Sequence, residues 1–176
     1  TAVNPGGRKP YLERFIHAEI YRARPDVMGI VHSHSMSVVP FSLVPSFPFR
    51  AVTHMGSFIG TCVPIFDLRD VVGDDNDLLI TNGMQGQALA KVLGDLNVVL
   101  MRGHGSTAVG SSLREAVFRA VYTEQNARVL SDAARLGGPI TSLSEAETRT
   151  ATRVIGGTAS RAWNLWALQA QGDMEG

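Results

Sequence analysis

Apolar side chains recur at helical spacing after Pro10, at Leu12, Phe15, Ile16 and Ile20, until Arg24-Pro25 stops the run. Proline suits a first helical turn because its missing N–H would find no partner there anyway, so the pattern predicts a helix from Pro10 to Arg24. Glu13, His17 and Tyr21 share a second stripe of that helix. The apolar run from Val27 to Ser33 predicts a buried strand, whose period of two puts His32 and His34 on one face. Pro40, Pro45 and Pro48 then interrupt a stretch rich in Phe and Val, which predicts a loop carrying Arg50 and leading to His54. Cys62 to Phe66 reads as a strand. The acidic turn Gly73 to Asp77 reads as surface, without the ligand spacing or distal glutamate of a calcium loop.

In the second half, Asn82 is placed to cap a helix from Gly83 to Leu93 that Gly94 ends, and Val98 to Met101 reads as a buried strand. The turn Arg102-Gly103-His104-Gly105 follows directly. Ser112 with Glu115 is a capping-box pattern for a long helix through Leu136, and Ser144 with Glu147 repeats it for a last helix. Gly156-Gly157 is expected to kink that helix before Trp163 and Trp166, which would cover the core or a subunit interface. Tyr122 and Glu124 fall on the long helix as packing and surface residues.

At 176 residues the chain can bury one sizeable core, and without linker or repeat it is expected to form one α/β domain over 1–176. Sixteen basic residues balance sixteen acidic ones, which argues against nucleic acid as a partner. Cys62 is the single cysteine and can form no internal disulfide; no apolar run is long enough to span a bilayer. These features, and a polar start through Pro5-Gly6-Gly7 without a signal-peptide core, predict a cytoplasmic protein whose first residues form a loop or the cut end of something longer.

The candidate chemistry lies in three histidines. Two at i and i+2 on a strand can bind one ion from one side while a third approaches from a turn, and the glycines flanking His104 permit close approach of backbone and substrate. Three imidazoles suit zinc, manganese, iron or copper and leave positions open for substrate. Taken alone, they are equally compatible with two unrelated strand histidines and one in a turn.

The run Glu13-Arg-Phe-Ile-His17-Ala-Glu-Ile-Tyr21, then Arg24-Pro25-Asp26, Val31-His32-Ser33-His34 and Arg102-Gly103-His104-Gly105, resembles the class II aldolase/adducin family in order and spacing over most of Tyr11 to Leu136. The resemblance implies a layered α/β/α domain with a central, largely antiparallel sheet, and a homotetramer with active sites at subunit interfaces. It implies one divalent ion per subunit, manganese or zinc with iron also possible, held by His32, His34 and His104, with Glu13 as the acid/base residue. Members of the family usually carry further elements upstream of the point where this chain begins.

Departures from the family narrow the expectation. Its sugar-phosphate enzymes carry Ser-Ser before the catalytic acid to hold phosphate; this chain has Tyr11-Leu12, and Leu12 offers phosphate no hydrogen bond. Where the aldolases often have a tyrosine proton donor the nearest equivalent is Thr53-His54-Met55-Gly56, so His54 is a candidate proton donor or substrate ligand. These segments, with Met101-Arg-Gly-His-Gly, resemble the decarboxylase branch acting on hydroxypyridine dicarboxylates and dihydroxyphthalates. The small-molecule substrate expected is a hydroxylated aromatic or pyridine (di)carboxylate of aromatic degradation, with Arg50 and Arg102 as candidate partners for a second carboxylate and Ser106 and Thr107 as candidate hydrogen-bond donors. An aldolase or epimerase, a non-haem iron oxygenase and a non-catalytic adducin-like binding module are the alternatives.

Overall fold

The computed structural model describes residues 6–174, without the side chains of 173 and 174. The residues before Gly6, where the amino-terminal loop was expected to begin, lie outside the described part.

Four strands form one sheet in the order β1-β4-β3-β2: β1 Gly29–Ser33, β2 Ile65–Phe66, β3 Val98–Met101 and β4 Gly105–Gly110. β1 and β3 each pair antiparallel with β4, and β2 joins β3 in parallel, so the sheet is mixed and largely antiparallel. Alternation along the strands sends side chains to two cores. Val98, Leu100 and Ala108 pack on one face with Phe118, Ala127, Leu130, Ile155 and Ala159, from α4 Leu113–Leu136, α5 Glu145–Ile155 and α6 Ala159–Met174. Val99, Met101 and Val109 pack on the other with Ile16, Ile20, Leu89 and Leu93, from α1 Arg14–Ala23 and α3 Gly83–Leu93. Helices on both faces of the sheet make the expected α/β/α layering. A short helix, α2 Arg69–Val72, follows β2.

Local sequence explains most boundaries. Asn82 caps α3 by accepting from Gln85 N at 3.1 Å, and α5 carries a complete Ser144–Glu147 capping box. At α4 the box is only half made: Ser112 Oγ accepts from Glu115 N, while the Glu115 carboxylate accepts from Ser111, one residue earlier. Gly156-Gly157 turns α5 into α6 through a 3₁₀ segment.

Three expectations are corrected. Helix α1 starts at Arg14, not Pro10: the Tyr11 carbonyl takes both the backbone N–H and the guanidinium of Arg14, holding residues 11–14 in a turn, and Glu13 sits at the N-cap. The strand expected over Cys62–Phe66 shrinks to Ile65–Phe66, because Pro64 has no N–H and Val63 N donates to Phe49 O outside the sheet. Strand β1 starts at Gly29, where its partner β4 ends at Gly110. Strand β4, which no apolar run announced, is fully buried and lies between β1 and β3.

Candidate functional site

Sheet register brings the two histidine clusters together. His32 lies in β1 opposite Thr107 of β4, His34 follows the strand's end, and His104 stands in the tight turn between β3 and β4. The Nε2 atoms of His32 and His34 are 3.0 Å apart, and those of His34 and His104 2.9 Å. Glu13 enters from the start of α1, 4% exposed, with Oε2 3.5 Å from His32 Nε2 and Oε1 3.5 Å from His104 Nε2. One ligand atom from each of these four residues lies within 4.8 Å of every other.

Hydrogen bonds outside the cluster orient the rings. His32 Nδ1 donates to Ser106 O at 3.1 Å, and His104 Nδ1 to Leu78 O at 2.7 Å. A carbonyl only accepts, so these Nδ1 atoms hold the ring protons, and in the neutral imidazole Nε2 is left with an inward lone pair. Burial above all, with His104 and His34 adding to it against the pull of Glu13, lowers the His32 pKa to about 4. Three imidazole nitrogens and a carboxylate thus meet at one place, a donor set that a divalent cation would satisfy. The spacings agree: a metal–nitrogen bond of about 2.1 Å puts two nitrogens about 3.0 Å apart at a right angle.

Glu13 is held from outside as well. Ile80 N donates to its Oε1 at 3.4 Å and the Tyr11 hydroxyl to its Oε2 at 3.3 Å. Desolvation, then the Glu13 charge, raises the Tyr11 pKa above its ordinary value, which keeps the phenol protonated and donating. Leu78 is the one non-glycine residue with positive φ (65°) among the described residues, and its carbonyl is the one that holds His104. A conformation costly for a leucine sits where it aims a carbonyl at a candidate ligand.

The remaining candidates are not among the four clustered residues. Arg50 is tied down, with Nε donating to Ser142 Oγ and Nη1 to Pro48 O at 2.9 Å. Arg102 forms an ion pair with Asp67, Nε to Oδ2 at 2.8 Å. Arg69 also pairs with Asp67, and these contacts hold the Asp67 carboxyl far below its usual range. His54 is exposed and lines a cavity of about 520 Å³ with Leu143, Glu147 and Val154 of the α5 region, outside the cluster. Ser106 and Thr107 are 4% and 0% exposed inside β4. The Ser106 carbonyl instead holds His32, and Thr107 Oγ1 lies 3.4 Å from the same Nδ1.

Sequence reading missed Tyr11, Ile80 and Leu78. Tyr11 entered only as the absence of a phosphate-binding serine, although its place two residues before Glu13 was a signal. Ile80 and Leu78 act through backbone atoms, which side-chain identity does not announce.

A decarboxylase of Talaromyces stipitatus, tropJ, is 40% identical over 97% of this chain and 71% of its own length. A 3,4-dihydroxyphthalate decarboxylase of Rhodococcus jostii is 29% identical over 75% of this chain, which spans about half (53%) of that relative. The solved L-fuculose 1-phosphate aldolase of Glaciozyma antarctica superposes with a TM-score of 0.70 over 98% of this chain and 65% of that one; at 23% identity it speaks for the fold alone. The profile described as Class II Aldolase and Adducin N-terminal domain matches residues 1–131. That span takes in both histidine clusters, the glutamate and the whole sheet between them, and the chain therefore belongs to the class II aldolase/adducin family.

Proposed function

We propose that this chain is a divalent-metal-dependent decarboxylase of a hydroxylated aromatic or pyridine (di)carboxylate. That it is an enzyme, a carbon–carbon lyase, follows from its family together with the decarboxylases it resembles. The observation that carries the finer reading is the convergence of three imidazole Nε2 atoms and the Glu13 carboxylate on one point. His32, His34 and His104 would hold manganese, zinc or iron, and the ion would supply a Lewis acid to a substrate hydroxyl beside the departing carboxylate.

The chain's own residues supply the rest. Glu13, as the carboxylate, takes the proton of that substrate hydroxyl and returns it to the ring carbon as carbon dioxide leaves, from a position shielded from bulk water. Arg102, which meets Asp67 through Nε, receives a second substrate carboxylate on its two terminal nitrogens, a fork that suits bidentate pairing. Arg50, with its fork already committed to Ser142 and Pro48, is the poorer anchor. His54 lines the cavity by α5 and is not one of the clustered residues, so a part for it as proton donor would call for a neighbouring subunit, as at the interfacial sites of a homotetramer. Leu12, exposed beside the site, gives a phosphate no hydrogen bond, which supports a non-phosphorylated substrate.

The test is to load the protein with manganese, zinc or ferrous iron and supply hydroxy-aromatic carboxylates and sugar phosphates in parallel. Metal-dependent carbon dioxide release from the aromatic acids is expected. Aldehyde from the sugars without carbon dioxide would identify an aldolase, oxygen uptake with ferrous iron an oxygenase, and no stoichiometric metal a binding module; each would overturn the proposal.

A further inference from the structure

Each oxygen of Glu13 has one inward and one outward neighbour. Oε1 faces His104 Nε2 at 3.5 Å and receives the Ile80 N–H at 3.4 Å; Oε2 faces His32 Nε2 at 3.5 Å and receives the Tyr11 hydroxyl at 3.3 Å. The two outward donors differ in kind. Ile80 is buried and its N–H is backbone, fixed by the fold, whereas Tyr11 is 56% exposed and reaches Glu13 with a side chain. The phenol ring is itself braced, edge-on to the His17 ring at 6.5 Å and 73°, one helical turn beyond Glu13. The turn at residues 11–14, which delays the helix, is what leaves Tyr11 beside the carboxylate.

We propose that Tyr11 is a positioning residue for Glu13: its hydroxyl holds Oε2 away from the histidine cluster, so that the carboxylate stands beside a bound metal as an acid/base group and not as a fourth tight ligand. Without that hold, Oε2 has only the cluster to turn to, and the carboxylate rotates inward about the Oε1–Ile80 contact. Tyr11 thus decides between two uses of one carboxylate, as a ligand and as a proton carrier. The catalytic part of the inference rests on the proposed decarboxylase reading; the metal-ligand part does not.

The experiment is a double-mutant cycle on the cobalt(II)-loaded full chain, with Tyr11→Phe, Glu13→Gln and the pair. Phenylalanine keeps the ring against His17 and removes only the hydroxyl; Tyr11→Leu serves as a second variant if the first folds poorly. The deciding readout is the visible cobalt spectrum, which senses ligand number without any substrate. Tyr11→Phe is expected to bind one cobalt per chain and change that spectrum, and to change nothing in the Glu13→Gln background. A spectrum shared with the parent protein, or the same change in both backgrounds, overturns the proposal. In turnover, Tyr11→Phe is expected to lower kcat about ten-fold with KM within about two-fold, the loss of one hydrogen bond to a charged group. A raised KM with unchanged kcat would place Tyr11 on the substrate and also overturn it. If the parent protein releases no carbon dioxide, the decarboxylase reading fails, and the cobalt cycle still decides the role of Tyr11.

Discussion

Replacing Gly105 by alanine adds a single methyl group at the closest backbone approach in the site. A Cβ built there lies 2.3 Å from the Ser33 carbonyl oxygen and 3.1 Å from His34 Cδ2, where ordinary contact begins at 3.4 Å. β1 and β4 must therefore part by about 1 Å at the pair Ser33–Ser106, between His32 and His34 on one side and His104 on the other. The obstructing atom is backbone, so no side chain can swing aside to relieve it. Overpacking of this kind costs about 1–3 kcal/mol, or roughly 2–12 °C in Tm for a chain of this size. Displacing orienting groups around a metal by this much lowers its affinity by about 10–100-fold. Gly103→Ala is the matched control: its φ is +63°, but the nearest atom to a new Cβ is Leu43 Cδ2 at 3.7 Å, so it bears a backbone cost of about 1–2 kcal/mol and no clash. Calorimetric metal titration and thermal unfolding of both variants check the ranking. Equal metal affinity in the two, or a Gly105→Ala protein with parental Tm, would refute the reasoning.

His104→Ala is expected to abolish stoichiometric metal binding and turnover while far-UV circular dichroism stays unchanged, since the turn's backbone bond from His104 N to Met101 O survives; general unfolding would make the turn structural. Asn126, fully buried, accepts from Val52 N, Thr53 N and Thr53 Oγ1 and donates to Arg50 O. Asn126→Ala strands these groups and should cost about 3–5 kcal/mol by urea unfolding; a loss under about 1 kcal/mol contradicts the account. Arg102→Gln should raise KM for a dicarboxylate about ten-fold or more, and Arg50→Gln should leave it within two-fold; the reverse order would move the anchor to Arg50. Adding metal at about 100 times its Kd should stabilise the apo-protein by about 2.7 kcal/mol, about 5–11 °C, and a chelator should reverse it.

The helices were legible because their signals are local. Asn82, Ser112 and Ser144 cap their own chains, glycines at 94, 137 and 156 end the helices, and the apolar spacing of α1 and α3 points to the face each buries. The start of α1 was misread because a proline's fitness for a first turn does not weigh against a carbonyl already committed to an arginine six atoms along its side chain. Strand β4 gives no apolar run, because Ala108 and Val109 are its two apolar side chains among glycines and hydroxyl residues; it is buried by its neighbours on both sides, which sequence pattern does not record.

The same division runs through the site. By itself the sequence determined which atoms are available: three imidazoles, one glutamate and the glycines that let strands close upon them. The tertiary structure alone decided that these atoms meet, since antiparallel pairing of β1 with β4 sets His34 and His104 2.9 Å apart across seventy residues of chain. It also decided that Arg50 is hydrogen-bonded to Ser142 and Pro48, that Ser106 and Thr107 are buried, and that the Tyr11 hydroxyl reaches Glu13. The physical reason is range: propensity, capping and periodicity act over a few residues and are written in the order of the chain. The protonation, orientation and use of a side chain depend on whatever distant backbone is folded against it.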